Sequence, residues 1–160
     1  FTYNEFLPKF FKQHKIKTIK EKTAEADDII ALASKYLSDQ GHNVFIVSSD
    51  TDLVQLVNDK VKIFDLKMKE VAPKISPEMD LKLKIIIGDK SDNIPAIKNR
   101  LGKKTGEKLL NNNEELIKLL KDESINQQFI MNKLLIDLTM IPSELNKKIM
   151  NKVKKISNDI

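Results

Sequence analysis

Val44-Phe45-Ile46-Val47-Ser48-Ser49-Asp50-Thr51-Asp52 is the stretch on which the reading of this chain turns. An unbroken apolar, β-branched run ending in small polar residues predicts a strand over residues 43–49, buried on both faces as in a parallel sheet covered by helices. Open α/β sheets collect their ligands at the carboxyl ends of the strands, so Asp50 and Asp52 stand where a site is expected. In an extended segment, residues i and i+2 project to one side, which would bring both carboxylates to face one point. Two converging carboxylates repel unless a cation or a proton lies between them.

Working outward, Thr23 is a candidate N-cap for a helix from about Ala24 to Gln40, stopped by Gly41. Upstream, Phe6, Leu7, Phe10 and Phe11 recur at helical spacing, and Ile16 and Ile19 suggest a short strand. Downstream, a helical turn over 53–57 leads to a strand at 61–65 and another near Val71 and Ala72. Ser76 and Pro77 then open a helix that runs to Gly88. Helix alternating with strand is the signature of an α/β domain. Beyond the loop from Gly88 to Pro95 only helical apolar series follow, and Asn111-Asn112-Asn113 reads as a helix end. A domain boundary is therefore expected near 93–95, with an α/β unit over 1–94 and an all-helical unit over 95–160.

Composition narrows the function classes. The 160 residues suffice for one α/β unit with a helical appendage. No apolar run approaches the roughly 18 residues of a membrane span, and Phe1-Thr2-Tyr3-Asn4-Glu5 lacks the basic head and apolar middle of a signal peptide. Zero cysteines exclude disulfides and thiolate metal sites, which suits a cytoplasmic protein. Residues 1–94 carry 15 basic and 15 acidic side chains and residues 95–160 carry 13 and 8, so the whole excess of +5 lies in the helical part. A neutral half with acids at strand ends, joined to a basic half, suits a protein that holds cations in one place and a polyanion in another. A merely solvated, Lys-rich surface is the competing explanation of that charge.

Three acidic clusters follow from this layout. Glu25, Asp27 and Asp28 open a helix, where the macrodipole alone would favour them. Asp50 and Asp52 end the strand, and Asp89 and Asp92 follow the last α/β helix. Oxygen donors without cysteine, and with only His14 and His42 elsewhere, favour Mg²⁺ or Mn²⁺ over zinc. Two such ions in one carboxylate site are a recurrent arrangement for phosphodiester cleavage. No Gly-rich phosphate loop of the Walker or dinucleotide type is present.

Glu25-Ala26-Asp27-Asp28-Ile29-Ile30-Ala31, Ile46-Val47-Ser48-Ser49-Asp50-Thr51-Asp52-Leu53-Val54-Gln55-Leu56 and Gly88-Asp89-Lys90-Ser91-Asp92-Asn93-Ile94-Pro95, in this order, resemble the structure-specific 5′ nuclease family of flap endonucleases, polymerase 5′ nuclease domains and phage 5′-3′ exonucleases. Leu135-Ile136-Asp137-Leu138-Thr139-Met140-Ile141-Pro142 looks like the T-even phage ribonuclease H branch. The resemblance covers roughly residues 24–145. It implies a PIN-like (Rossmann-like) α/β fold with a parallel sheet and flanking helices, two Mg²⁺ (or Mn²⁺) ions, and a following helix-three-turn-helix module that grips duplex DNA by its phosphates. Carried over by position, Glu25, Asp27, Asp28, Asp50, Asp52, Asp89 and Asp92 match the metal-site acids, with Asp50 and Asp52 as catalytic ligands. Lys98, Arg100, Gly102, Lys103, Lys104 and Thr105 fall in the phosphate-binding turn.

Two departures accompany the match. The turn reads Pro95-Ala96-Ile97-Lys98-Asn99-Arg100-Leu101-Gly102-Lys103-Lys104-Thr105-Gly106 where the family has Pro-Gly-Val-x-Gly-Ile-Gly-x-Lys-Thr-Ala, which weighs against the K⁺ site built from the family's turn carbonyls. The family's first strand with its leading aspartate, and its helical arch, have no counterpart and would precede Phe1. The expected function is thus a divalent-metal-dependent 5′ nuclease acting on branched DNA and RNA–DNA hybrids, including RNA-primer removal, present here as a C-terminal portion with weak or no cleavage of its own. Flap or duplex DNA and replication proteins are the expected partners, and the chain is expected to act as a monomer away from membranes. A noncatalytic duplex-binding module and a PIN-type ribonuclease with an unrelated helical tail are the alternatives.

Overall fold

The structure, a computed structural model, describes residues 3–157. In order along the chain it contains α1 (Tyr3–Gln13), α2 (Ala26–Asp39), β1 (Val44–Val47), a short 3-10 helix (Asp52–Leu56), β2 (Val61–Phe64), α3 (Pro77–Ile87), α4 (Lys103–Asn111), α5 (Asn113–Leu119), α6 (Glu123–Ile136) and α7 (Ser143–Ser157). β1 and β2 pair in parallel, Val44 opposite Val61 and Val47 opposite Phe64. The strand expected near Val71 is reduced to a bridge between Phe64 and Glu70 and a hydrogen bond from the Val71 amide to the Ile63 carbonyl at 2.8 Å. Ile16 and Ile19 form no strand.

Sheet burial differs from the sequence expectation. Ile46, Val61 and Ile63 point into a core with Leu53 and Val54, but Phe45 is 63% and Val47 50% exposed on the opposite face. One face of β1 is covered and the other is open. A continuous apolar run signals the capacity to be buried on both sides, and in this chain helix packing is supplied on one side only.

Helix boundaries follow from capping. α2 starts two residues later than expected: Glu25, not Thr23, is its N-cap, and the Asp28 carboxylate accepts from the Glu25 amide at 3.0 Å in a capping box. α3 begins as the sequence reads, with Ser76 Oγ accepting from the Met79 amide at 3.2 Å and Pro77 at the first position. It ends at Gly88, whose φ of +74° is open to glycine and strained for other residues. A Cβ there would lie 2.2 Å from the Ile94 carbonyl oxygen and 2.5 Å from the Pro95 carbonyl carbon, so the loop that carries Asp89 and Asp92 folds back over the helix end only because residue 88 has no side chain.

The helical part shares a core with the α/β part. Ile86 on α3 is buried with Ile97, Leu101 and Leu109. α4 crosses α3 at Gly106, where a Cβ would meet Ile87 Cγ2 at 2.7 Å and Leu83 Cδ1 at 2.8 Å. Asn132, fully buried on α6, donates to the carbonyls of Ile85 at 2.9 Å and Pro95 at 2.8 Å. Gln55 donates to the Ile136 carbonyl at 3.1 Å and accepts from the Leu138 amide at 3.0 Å. The segment proposed from sequence as a domain boundary is therefore spanned by both apolar and polar contacts. No helix among the described residues is long and apolar enough to cross a membrane.

Candidate metal centre and basic turn

The acids come together by turns rather than by strand alternation. β1 ends at Val47, and Asp50-Thr51-Asp52 lies beyond it: Thr51 is in a helical conformation (φ −78°, ψ −14°) as N-cap of the 3-10 helix. The expected extended geometry, with Asp50 and Asp52 on one side, is thus not what the chain adopts. Asp50 Oδ1 instead accepts from the Asp52 amide at 2.9 Å, and the Asp50 amide donates to Ser48 Oγ at 3.1 Å. Small polar residues at a strand end can close such side-chain turns, and they override the extended backbone.

Asp52, Asp89 and Asp92 each present a carboxylate oxygen, and these oxygens lie within 4.8 Å of one another. Asp52 comes from the start of the 3-10 helix, which packs against α3, and the other two come from the loop after α3. Asp89 is held by Ser91: its Oδ1 accepts from the Ser91 amide at 2.8 Å and from the Ser91 hydroxyl. The hydroxyl bond is the main influence drawing its carboxyl below the usual range; partial burial opposes it, and the Ser91 amide, the Lys84 charge and the Asp92 amide reinforce it.

Asp27, half-buried at the start of α2, belongs to the same electrostatic neighbourhood. Burial pushes its carboxyl up, and the negative charges of Asp50, Asp52, Glu25 and Asp28 push it further in the same direction. The first two acidic clusters therefore face each other. Glu25 and Asp50 are exposed, and Asp28 is half-buried and occupied in the helix cap.

Lys84, which no motif in the sequence singles out, also reaches this site. It leaves the last turn of α3, donates to Asp52 Oδ1 and lies 3.9 Å from Asp89 Oδ2. Burial pulls its ammonium down, but the bond to Asp52 and the charges of Asp52, Asp89 and Asp80 outweigh that and leave it raised. The sequence signal was faint: a lone base one turn before Gly88, in a helix otherwise apolar at that end. Hard oxygen donors without nitrogen or sulfur, with a cation already drawn between them, are a donor set that fits a divalent ion such as Mg²⁺ or Mn²⁺.

The basic turn is exposed. Ile97 and Leu101 anchor it in the core while Lys98, Arg100, Lys103 and Lys104 stand in solvent, with Arg100 at φ +60°. Gly102 is the N-cap of α4, and no atom lies within 4 Å of where its Cβ would be, so nothing obstructs approach to the first amides of that helix. Thr105 and Gly106 turn their amides back to the Gly102 carbonyl at 3.1 and 2.9 Å. A cleft of about 680 Å³ opens beside the turn, between Lys98, Arg100, Thr105 and Lys118 at its rim and Leu109 and Ile125 below.

This architecture is shared with solved 5′ nucleases. A mutant of the T5 5′-exonuclease superposes with a TM-score of 0.73 at 21% identity, over 98% of this chain and 76% of that one. The bacteriophage T5 flap endonuclease, in a pseudo-enzyme–product complex with DNA and metal ions, gives 0.72 at 23% over 97% and 68%. These likenesses define a PIN-like α/β fold.

Sequence relationships carry the assignment further. The profile of the 5′-3′ exonuclease, N-terminal resolvase-like domain matches residues 3–83, just over half of the chain. Ribonuclease H of Enterobacteria phage T4 is 35% identical over 144 residues, covering 79% of this chain and 47% of its own length. The 5′-3′ exonuclease of Buchnera aphidicola is 34% identical over 107 residues, 62% of this chain and 37% of its own. Thermostable DNA polymerase I of Thermus thermophilus is 35% identical over 105 residues, 61% of this chain and 12% of its own. The chain belongs to the 5′-3′ exonuclease family, and spans less than half the length of these curated relatives.

Proposed function

We propose that this chain is the part of a metal-dependent 5′-3′ exonuclease or flap endonuclease that combines most of its acidic metal site with its duplex grip. The observation that carries the reading is the gathering of Asp52, Asp89 and Asp92 from two separate segments, with Asp27 and Asp50 beside them. T5 5′-exonuclease has been solved with divalent zinc bound, and the same fold in complex with DNA and metal ions. For this chain the donor chemistry favours Mg²⁺, with Mn²⁺ as substitute.

Asp27, Asp50, Asp52, Asp89 and Asp92 would hold two ions, with Glu25 and Asp28 supporting them from the start of α2. Divalent ions at such a site lower the pKa of water and neutralise charge on the phosphodiester under attack. Ser91 fixes the Asp89 carboxylate, and Gly88 lets the loop carrying Asp89 and Asp92 fold over α3. Lys98, Arg100, Lys103 and Lys104, with Thr105 and the open α4 amides after Gly102, would bind backbone phosphates without reading sequence. The substrates in this reading are flapped or branched duplexes and RNA–DNA hybrids, including RNA primers, and the work is done in the cytoplasm. The shared core of Ile86 on α3 with Ile97 and Leu101 of the turn supports the reading that an α/β unit over 1–94 works together with a DNA-binding unit over 95–160.

The test is Asp50→Asn with Asp52→Asn in the full-length protein, assayed on a 5′-flap substrate. Cleavage should be lost while duplex affinity is retained; a rate unchanged by the substitutions would overturn the metal-site reading of Asp50 and Asp52, and duplex binding without any cleavage by the unsubstituted protein would identify a noncatalytic duplex-binding protein. The 160-residue chain alone should cleave weakly or not at all, and robust Mg²⁺-dependent flap cleavage by it would overturn that part of the proposal.

A further inference from the structure

We propose that Lys84 is an internal counter-ion of the acidic cluster: it competes with a divalent cation for Asp52 and Asp89 and thereby sets how tightly that cation is held. This rests on the metal-site reading above. The Lys84 ammonium bonds to Asp52 and lies 3.9 Å from Asp89, two of the three residues whose carboxylate oxygens gather within 4.8 Å.

Solvent decides how much this arrangement matters. The Lys84 side chain is 21% exposed, that of Asp52 30% and that of Asp89 16%. Pairs this withdrawn from water are screened far less than surface bridges, which contribute little. The pairs Lys82–Glu78 and Lys35–Asp39, with every side chain more than half exposed, are of the latter kind.

An ammonium and a divalent ion cannot use one Asp52 oxygen in the same way. The ion needs oxygens at about 2.0–2.1 Å for Mg²⁺, and a positive charge in hydrogen-bond contact with the same carboxylate repels it. Binding through that oxygen therefore requires Lys84 to give up its bond. Its flexible four-carbon stem allows this by side-chain rotation, with α3 left in place. Apparent affinity is then the intrinsic affinity reduced by the fraction of molecules in which the lysine still occupies the site. The same contact has a benefit before the ion arrives: it offsets the repulsion between Asp52 and Asp89 and keeps them together.

The experiment is Mn²⁺ titration of the 160-residue chain, followed by the electron paramagnetic resonance of free Mn²⁺. Lys84→Met keeps the length and apolar stem and removes the charge; it should bind Mn²⁺ about tenfold tighter, the low end of what an adjacent charge does to a carboxylate's affinity for a cation. Equal or weaker binding by Lys84→Met overturns the proposal. Asp52→Asn tests the underlying reading separately: Mn²⁺ binding unchanged by it would overturn the metal site itself, whatever Lys84 does. A second measurement needs no substitution. Acetylation of Lys84, read by peptide mass spectrometry, should rise several-fold at saturating Mn²⁺ while Lys82, two residues away, stays constant. Lys84 reactivity that does not change at saturation overturns its displacement.

Discussion

Asn132 on α6 reaches across to Pro95 and donates to its carbonyl oxygen at 2.8 Å, while the same amide group donates to the Ile85 carbonyl at 2.9 Å. One side chain thus closes both ends of the segment that contains Gly88, Asp89 and Asp92. Its own oxygen accepts from Gln128 at 2.8 Å, so all its bonds are internal. Asn132→Leu should destabilise the chain by about 1–3 kcal/mol, because it leaves the buried Ile85 carbonyl without a partner and breaks the half-buried bond to Pro95. Urea unfolding measures this, and a loss below about 1 kcal/mol would mean that water replaces the amide.

Gly88→Ala should cost about 3 kcal/mol, through positive φ and overlap with backbone atoms that no rotamer change can relieve. Gly102→Ala, where the added methyl meets nothing, should cost less, about 0.5–1 kcal/mol, which is the disadvantage of alanine against glycine at an N-cap. Thermal unfolding of the two variants side by side separates steric need from cap preference.

The pH dependence of stability should carry the mark of Asp27. Burial and its acidic neighbours raise its carboxyl in the folded state. The folded form therefore holds this proton more tightly than the unfolded chain, and ionised Asp27 lowers stability at neutral pH. The penalty is complete above the folded pKa, is relieved as pH falls through it, and vanishes below the unfolded value. In the absence of divalent ions, Asp27→Asn should stabilise the chain at pH 7 and lose that advantage as pH falls below the ordinary aspartate range. Urea midpoints at several pH values test the sign.

Duplex binding should respond to Lys103→Ala and Lys104→Ala in the manner of phosphate contacts. Each should weaken binding by a similar factor on unrelated sequences, and reduce the slope of log affinity against log salt by about 1. Fluorescence anisotropy at a series of salt concentrations measures the slope, and an unchanged thermal midpoint of each variant distinguishes this from loss of fold.

Much of this could be read from the residues. Ser76, Pro77 and Gly88 mark α3 at both ends because capping is local chemistry, and the family that the ordered acidic motifs resemble is the one that the profile and the relatives show. Other features had no local signature. The run Val44–Val47 is apolar throughout, and nothing in it tells which face the helices leave open. Asp50-Thr51-Asp52 turns because Asp50 and Ser48 cap backbone amides, a competition that a period-two argument ignores. Lys84 and Asn132 lie in helices whose periodicity describes apolar packing, and their partners are 32 and 47 positions away. Such pairings become visible only when the helices are placed.

The open face of β1 bears on how the chain can be handled. Phe45 and Val47 are exposed on that face, Leu66 and Met68 are each more than half exposed just after β2, and a two-stranded sheet is a marginal unit by itself. Large apolar side chains left in solvent favour self-association where they cluster. Concentrated solutions of the 160-residue chain should bind hydrophobic dyes in the folded state and sediment as a concentration-dependent mixture, so that dilution and mild detergent belong in every titration meant to report on its acids.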